Sequence, residues 1–419
     1  MSGLGRIQHR SALETTQRAP KTTGMTAPCR AGIPTESAIM TRAIVRRPSF
    51  LRTLLLGSAL GALLAGPAWA VQGQDKGRPQ VEVAFVLDTT GSMADLIDGA
   101  KRKIWSIATT IVEANPDAEI RIALVAYRDR GDDYVTRTYE LTTDIQGLYG
   151  KLLQLRADGG GDWPESVNEA LHDAVTKVRW SEGGQARKII FLVGDAPPHM
   201  DYANAPKYAE VVAAARKNGI IVNAVQAGNA GDTRQIWQDI AQRGAGRYIP
   251  IPQDGGQVAA IVTPFDNDII ILQRRIDATV IPYGSAMQQG SLREKMDLRS
   301  AAPASVQVDN SDFYSKRSDR TAVVTGAGDL VADIASGAKS LGAVAEDELP
   351  DVLKGKTAEE RQAYVAQQQA ERAALTTEMA ALVGQRDSYV EAEQAKQAGS
   401  APVDSFDRAV EETLRTQLE

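Results

Sequence analysis

Cysteine is almost absent from this 419-residue chain: there is one, Cys29, and it lies in a stretch read below as removed. Residues 71–419 can therefore hold no disulfide and do no thiol chemistry, and their stability must come from packing, with room for help from a metal. Histidine is nearly as scarce, three in all. After residue 70 only His172, on a helical pattern, and His199, in a Pro-Pro loop, remain. A zinc site has little to draw on from two imidazoles, and His199 reads as a loop residue rather than a catalytic base. No apolar run after residue 70 is long enough for a membrane-spanning helix. There is no G-x-x-x-x-G-K-[ST] loop for a nucleotide and no G-x-S-x-G elbow for a nucleophilic serine.

Positive charge is also in short supply once the N-terminus is set aside. Met40 opens a basic stretch (Arg42, Arg46, Arg47, Arg52), followed by LLLGSALGALLAG and then Ala-Trp-Ala at 68–70. A charged start, a short apolar centre and a small-x-small end make 40–70 a secretory signal, for the Sec route or, given RRPSFLR, the twin-arginine route. Residues 1–39 carry no apolar periodicity and read as a non-structural extension upstream of an adequate start at Met40. Residues 1–70 hold nine basic and two acidic side chains, which leaves 38 against 51, a formal charge of −13. The expectation is a periplasmic or secreted protein with no membrane span after cleavage and no attraction to nucleic acid or anionic lipid.

Between about 80 and 252, apolar runs alternate with helical patterns. Strands are expected at 81–88, 121–129, 136–143, 188–195, 220–228 and 246–252, and helices at 93–114, 144–155, 165–178, 208–219 and 232–244. This order predicts an α/β fold, a doubly wound and mainly parallel sheet with helices on both faces. Continuous apolar strands such as KIIFLV fit a sheet covered on both sides. In such sheets ligands gather beyond the carboxyl ends of the strands, and Asp88, Asp129 and Asp195 all stand where an apolar run stops. Past about 275 the pattern weakens. Residues 276–349 read as an irregular to helical linker and 350–419 as a helical region, opened by a capping box of Thr357 and Glu360. Its apolar stripe of Leu375, Met379, Leu382 and Tyr389 is thin. Gln368, Glu371 and Arg386 interrupt any heptad, which argues against a long coiled coil.

The stretch FVLDTTGSM, 85–93, carries the chemistry. D-x-T-x-S sets Asp88, Thr90 and Ser92 on one turn, where their oxygens can converge on a hard divalent cation. GGGDWPE adds Asp162 and Glu165, and VGDAPPH adds Asp195. Three rival readings remain open. Ser92 with Asp95 fits a helix N-cap, Arg128 with Asp129 fits a surface ion pair or turn, and Asp88 fits a phosphorylated aspartate nucleophile. Thr89 stands where ion-pumping ATPases carry lysine, and Thr90 where phosphatases carry a second aspartate, so the enzyme reading is set last.

On these motifs, residues 79–275 resemble the von Willebrand factor A domain with its metal-ion-dependent adhesion site. AYRD, GGGDWPE and GDAPPH are similar to a bacterial and protist branch. The resemblance implies Asp88, Thr90, Ser92 and Asp195 as ligands of a divalent cation, Mg²⁺ first and Mn²⁺ or Ca²⁺ as alternatives. It also implies no enzymatic role and a protein partner whose carboxylate completes the metal shell. The usual second-loop threonine is missing. Asp162 is the first substitute and Glu165 the next, and a third carboxylate would bind the cation more tightly while leaving less positive charge for a partner's acid. The alternative is a metal-free scaffold acting through its C-terminal helices.

Overall fold

A computed structural model describes residues 78–256, 261–397 and 406–418. The extension at 1–39 and the secretory-type segment at 40–70 lie outside the described residues.

The first strand, β1 (Gln80–Asp88), shows why the sheet is covered twice. Val81, Val83 and Leu87 point to one face and Ala84 and Val86 to the other, and all five are buried. After it come α1 (Ala94–Ala114), β2 (Glu119–Tyr127), β3 (Thr136–Thr142), α2 (Ile145–Gln154), α3 (Val167–Thr176), β4 (Ala186–Gly194), α4 (Tyr208–Lys217), β5 (Ile220–Ala227), α5 (Gly231–Arg243) and β6 (Ala245–Ile251). The strands form one sheet in the order β3-β2-β1-β4-β5-β6, parallel except for β3 at the edge. One apolar cluster joins α1 and α2 to one face; a second joins α3, α4 and α5 to the other. The α/β, doubly wound reading therefore holds. β1 hydrogen-bonds to both β2 and β4, so the chain reverses its direction of travel across the sheet there. Asp88 ends β1 and Asp195 follows β4, which puts both carboxylates at the switch point where a doubly wound sheet opens a crevice.

The remaining helices are α6 (Asp266–Asp277), α7 (Ala286–Ala301), α8 (Ala304–Lys316), α9 (Leu330–Ala335), α10 (Ala358–Gln397) and α11 (Phe406–Leu418). Weak periodicity at 283–330 conceals two of them, and the reason is burial. In α8 every residue from Asn310 to Ser315 is buried, as are Val306 and Val308, and a helix enclosed on most sides shows no amphipathic period. Phe313 and Tyr314 of α8 pack on Trp105 of α1, with ring centroids 5.4 and 6.2 Å away. On α11, Phe406, Val410 and Leu414 enter the same core. Gln417 of α11 exchanges two amide hydrogen bonds, 3.0 and 2.8 Å, with buried Asn223 of β5.

α10 begins at the expected capping box: Thr357 N–H donates to Glu360 Oε2 at 2.8 Å, and Glu360 N–H to Thr357 Oγ1 at 3.2 Å. Its stripe of Leu375, Met379 and Val383 packs against α6 and α8. Two of its polar residues, Gln368 and Arg372, also face inward and are buried. No helix among the described residues is long and apolar enough to cross a membrane.

Candidate metal centre

Asp88 is fully buried at the end of β1. Its Oδ1 accepts from Thr90 N–H at 2.9 Å and from Thr90 Oγ1 at 2.7 Å, so the turn after the strand is built around the carboxylate. Thr90 Oγ1 lies 3.4 Å from Ser92 Oγ. Exposed Ser92 sits in the 3-10 turn Gly91–Met93 and makes no side-chain cap to α1, whose N-cap is Met93. The helix-cap reading of Ser92 therefore fails, and its hydroxyl is left at the mouth of the site.

Asp195 comes from the other side of the switch point. Its carbonyl accepts from Thr233 Oγ1 at 3.0 Å and its Oδ2 from Gln253 Nε2 at 2.7 Å. The chain can approach this closely only because Gly194 lacks a side chain. A Cβ there would stand 2.4 Å from the Tyr127 hydroxyl and 3.0 Å from Asp88 Oδ2. Tyr127 is enclosed and cannot retreat. Gly194→Ala should therefore cost about 1–3 kcal/mol in a urea melt and weaken any cation held by Asp88; unchanged stability would show that the crevice has slack.

The loop 158–166 separates Asp162 from Glu165. It is tied to the first loop by Gly91 N–H on Gly159 O at 3.2 Å and Asp158 N–H on Thr89 O at 3.1 Å. Gly160 has φ +81°, a region that favours glycine, and a Cβ on it would fall 3.1 Å from both Glu165 Oε1 and the Cβ of Thr90. Of the two, Glu165 is the acid that feels the charges of Asp88 and Asp195. Its backbone pairs with the 197–199 segment through Glu165 N–H on Pro197 O and His199 N–H on Glu165 O, which turns the side chain inward. Asp162 is three-fifths exposed and turns toward His199, with Oδ2 3.6 Å from Nε2.

Asp88 Oδ2, Glu165 Oε2 and Asp195 Oδ1 are each buried with no hydrogen-bond partner. Burial, reinforced by Asp195, lifts the Asp88 carboxyl to about 7. Burial, with Asp88, Asp129, Asp132 and Asp195 around it, lifts Glu165 to about 9. Burial and the carboxylates of Asp88, Glu165 and Asp195 push the Tyr127 hydroxyl well above its ordinary value, so it stays protonated. Arg128 does not neutralise the cluster. Its guanidinium donates to the carbonyls of Thr89 at 3.2 Å and Arg156 at 2.9 Å. Buried carboxylates must be protonated or paired, and three unpartnered oxygens beside two hydroxyls are the donors a hard divalent cation selects. These residues fit such an ion.

Asp129 does not form the surface ion pair with Arg128. Both are buried, and Asp129 accepts from Ser166 Oγ and Tyr202 Oη, each at 2.8 Å. The sequence reading also gave no role to Gln253 or His199. Gln253 follows the end of β6 and His199 closes the GDAPPH loop after β4, and those positions were the available signal.

Residues 82–262 match the family model of the von Willebrand factor A domain. Over 119 residues the chain is 31% identical to an ariadne-like RING finger protein of Acanthamoeba polyphaga mimivirus, covering 28% of this chain and 11% of that protein. Over 100 residues it is 37% identical to von Willebrand factor A domain-containing protein 7 of Rattus norvegicus, covering 23% and 10%. The chain thus spans about a tenth of the length of these curated relatives. Among solved structures, the SpRpn10 VWA domain aligns over 44% of this chain and 100% of its own, at 15% identity and a TM-score of 0.31. Proximal thread matrix protein 1 from the mussel byssus, with a zinc-occupied MIDAS motif, aligns over 42% and 43%, at 17% identity and a TM-score of 0.33. The switch-point sheet, the D-x-T-G-S turn and the family match agree: residues 82–262 are a von Willebrand factor A domain.

Proposed function

We propose that this is a non-catalytic, exported binding protein whose von Willebrand factor A domain holds one divalent cation, Mg²⁺ before Mn²⁺ or Ca²⁺, and uses the surrounding rim to engage another protein. The observation that carries the reading is the trio of buried, unpartnered oxygens on Asp88, Glu165 and Asp195. With Ser92 and Thr90 beside them, the site has the oxygen donors of a metal-ion-dependent adhesion site, with Glu165 in place of the second-loop threonine. Three carboxylates against one dication leave the site anionic. The cation here therefore fastens three loops together more than it attracts a partner's acid.

Apolar contact from the rim supplies what the charge does not. Trp163 is 47% exposed, with its indole N–H fixed on Asp232 Oδ2 at 2.7 Å, and Met200 is 48% exposed. A pinned, exposed tryptophan loses little freedom on binding and suits a protein interface. Against catalysis, Asp88 is enclosed, and Oδ1 is already held by Thr90. Export rests on the 40–70 segment and the acidic balance of the rest.

Calorimetric titration of Mg²⁺, Mn²⁺ and Ca²⁺ into the chelated protein tests the site. One equivalent should bind, become at least about a hundred-fold weaker in Asp88→Ala, weaken in Glu165→Gln, and be unchanged in Asp162→Ala. Absence of saturable binding in the unaltered protein would leave a metal-free scaffold acting through its helices. Phosphatase activity lost in Asp88→Asn would instead make the domain an enzyme.

A further inference from the structure

A second group of donors stands on the other side of the 158–166 loop, and no step above uses it. His199 is 5% exposed, and its Nε2 is buried without a hydrogen-bond partner. That nitrogen lies 3.4 Å from Asp129 Oδ2 and 3.6 Å from Asp162 Oδ2. One donor atom from each of the three residues falls within 4.8 Å of the others.

Those separations are too long for a charge-assisted hydrogen bond, which closes to about 2.7–2.9 Å. They do suit the edges of a tetrahedron: bonds of about 2.0–2.1 Å to a central zinc ion set its ligand atoms roughly 3.3–3.4 Å apart. The ring is also held as a metal ligand's ring is held. Its Nδ1 lies 2.8 Å from Asp201 Oδ1, and a carboxylate on the far nitrogen fixes the tautomer that presents Nε2 as an acceptor. Tyr202 stacks on the imidazole at 4.0 Å and 10°, and Arg130 lies over the tyrosine at 4.0 Å. The Tyr202 hydroxyl and Ser166 Oγ hold the two oxygens of Asp129. Two of the three ligands are therefore oriented in advance, and only Asp162 must be gathered in from solvent.

We infer that His199, Asp129 and Asp162 form a second metal site, for a borderline-soft divalent ion such as Zn²⁺, distinct from the all-oxygen site at Asp88. One imidazole and two carboxylates favour Zn²⁺ over Mg²⁺ or Ca²⁺, which prefer oxygen alone. The fourth position faces solvent on the Asp162 side, where water or a donor from a bound protein can enter. The 158–166 loop then carries a ligand for each ion, Glu165 inward and Asp162 outward.

The test is Zn²⁺ titration of the full chain in excess Mg²⁺, with Co²⁺ as the spectroscopic probe. The expected result is one equivalent of Zn²⁺ bound, with Co²⁺ showing the intense visible bands of four-coordination. Affinity should fall at least about a hundred-fold in His199→Gln and roughly ten-fold in Asp162→Asn. Asp162 is exposed, so its variant folds even if the His199 variant does not. The Zn²⁺ equivalent should survive Asp88→Ala. No Zn²⁺ uptake, or uptake indifferent to both His199→Gln and Asp162→Asn, overturns the second site. Zn²⁺ lost only in Asp88→Ala also overturns it, while leaving the Asp88 site intact.

Discussion

Replacing Arg372 by alanine is expected to cost about 3–5 kcal/mol, the penalty of stranding a buried carboxylate. Arg372 lies on α10 at 2% exposure, far from any solvent that could replace its bonds. Its Nη1 stands 2.5 Å from Asp329 Oδ2 and 3.0 Å from Thr321 O. Nη2 donates to Thr279 O at 2.9 Å, and Nε to Thr279 Oγ1 at 2.8 Å. Asp329 is equally enclosed and caps α9 through Val331 N–H at 3.2 Å. Truncating Arg372 therefore leaves one charge and two carbonyls unsatisfied at once. Lysine should rescue little, because a single ammonium cannot reach three directions. Adding Asp329→Asn to Arg372→Ala should recover part of the loss, since the stranded charge goes while the cap stays. Urea melts of the three variants beside the unaltered protein give the answer, and an Arg372→Ala loss below about 1 kcal/mol would refute the stranded-charge account.

The metal-free protein should melt higher in mild acid than in mild base, and a divalent cation should reverse the order. Asp88 titrates at about 7 in the fold against an ordinary 3.8, and Glu165 at about 9 against 4.5. The folded state thus holds its protons more tightly than the unfolded chain does. The stability these groups contribute is complete below pH 4 and is lost as pH rises through 7 toward 9. In chelator, the midpoint at pH 8.5 should lie about 5–10 °C below that at pH 5.5. Excess Mg²⁺ should raise it most at pH 8.5, where Asp88 has already lost the proton a cation must displace and Glu165 has begun to lose its own. Asp88→Asn should make the profile shallower, leaving the part due to Glu165, and abolish most of the Mg²⁺ effect. A chelated profile level from pH 5.5 to 8.5 would mean that the three acids are relieved in some other way.

The sheet was legible because its strands announce themselves: IIFLV and VAFVL are apolar on consecutive residues, as only a doubly covered strand need be. α8 was not, because enclosure erased the period that marks a helix. Arg372 went unremarked for a related reason. A buried ion pair looks, in one dimension, like two solvated charges, and Asp329 lies 43 residues away. The first site was legible to the extent that it is local: Asp88, Thr90 and Ser92 share one turn. The inward turn of Glu165 and the outward turn of Asp162 follow from the pairing of Glu165 with the 197–199 segment, which no spacing encodes. The group around His199 draws on three loops, from Asp129 to His199, and each member alone has a commonplace reading.

The seating of α8 and α11 on α1 has a kinetic consequence. Glu113 at the end of α1 binds Lys316 of α8 at 2.8 Å and Arg415 of α11 at 2.5 Å, the latter across 302 residues of chain. On the ribosome, the side of α1 bearing Trp105 emerges long before Phe313 and Phe406 exist to cover it. At about 5–20 residues per second that interval is tens of seconds, long enough for a nascent sticky surface to meet a neighbour or a chaperone. Contacts closed over such distances are slow to form. An export pathway that keeps its cargo unfolded until the whole chain has crossed would spare this protein that wait.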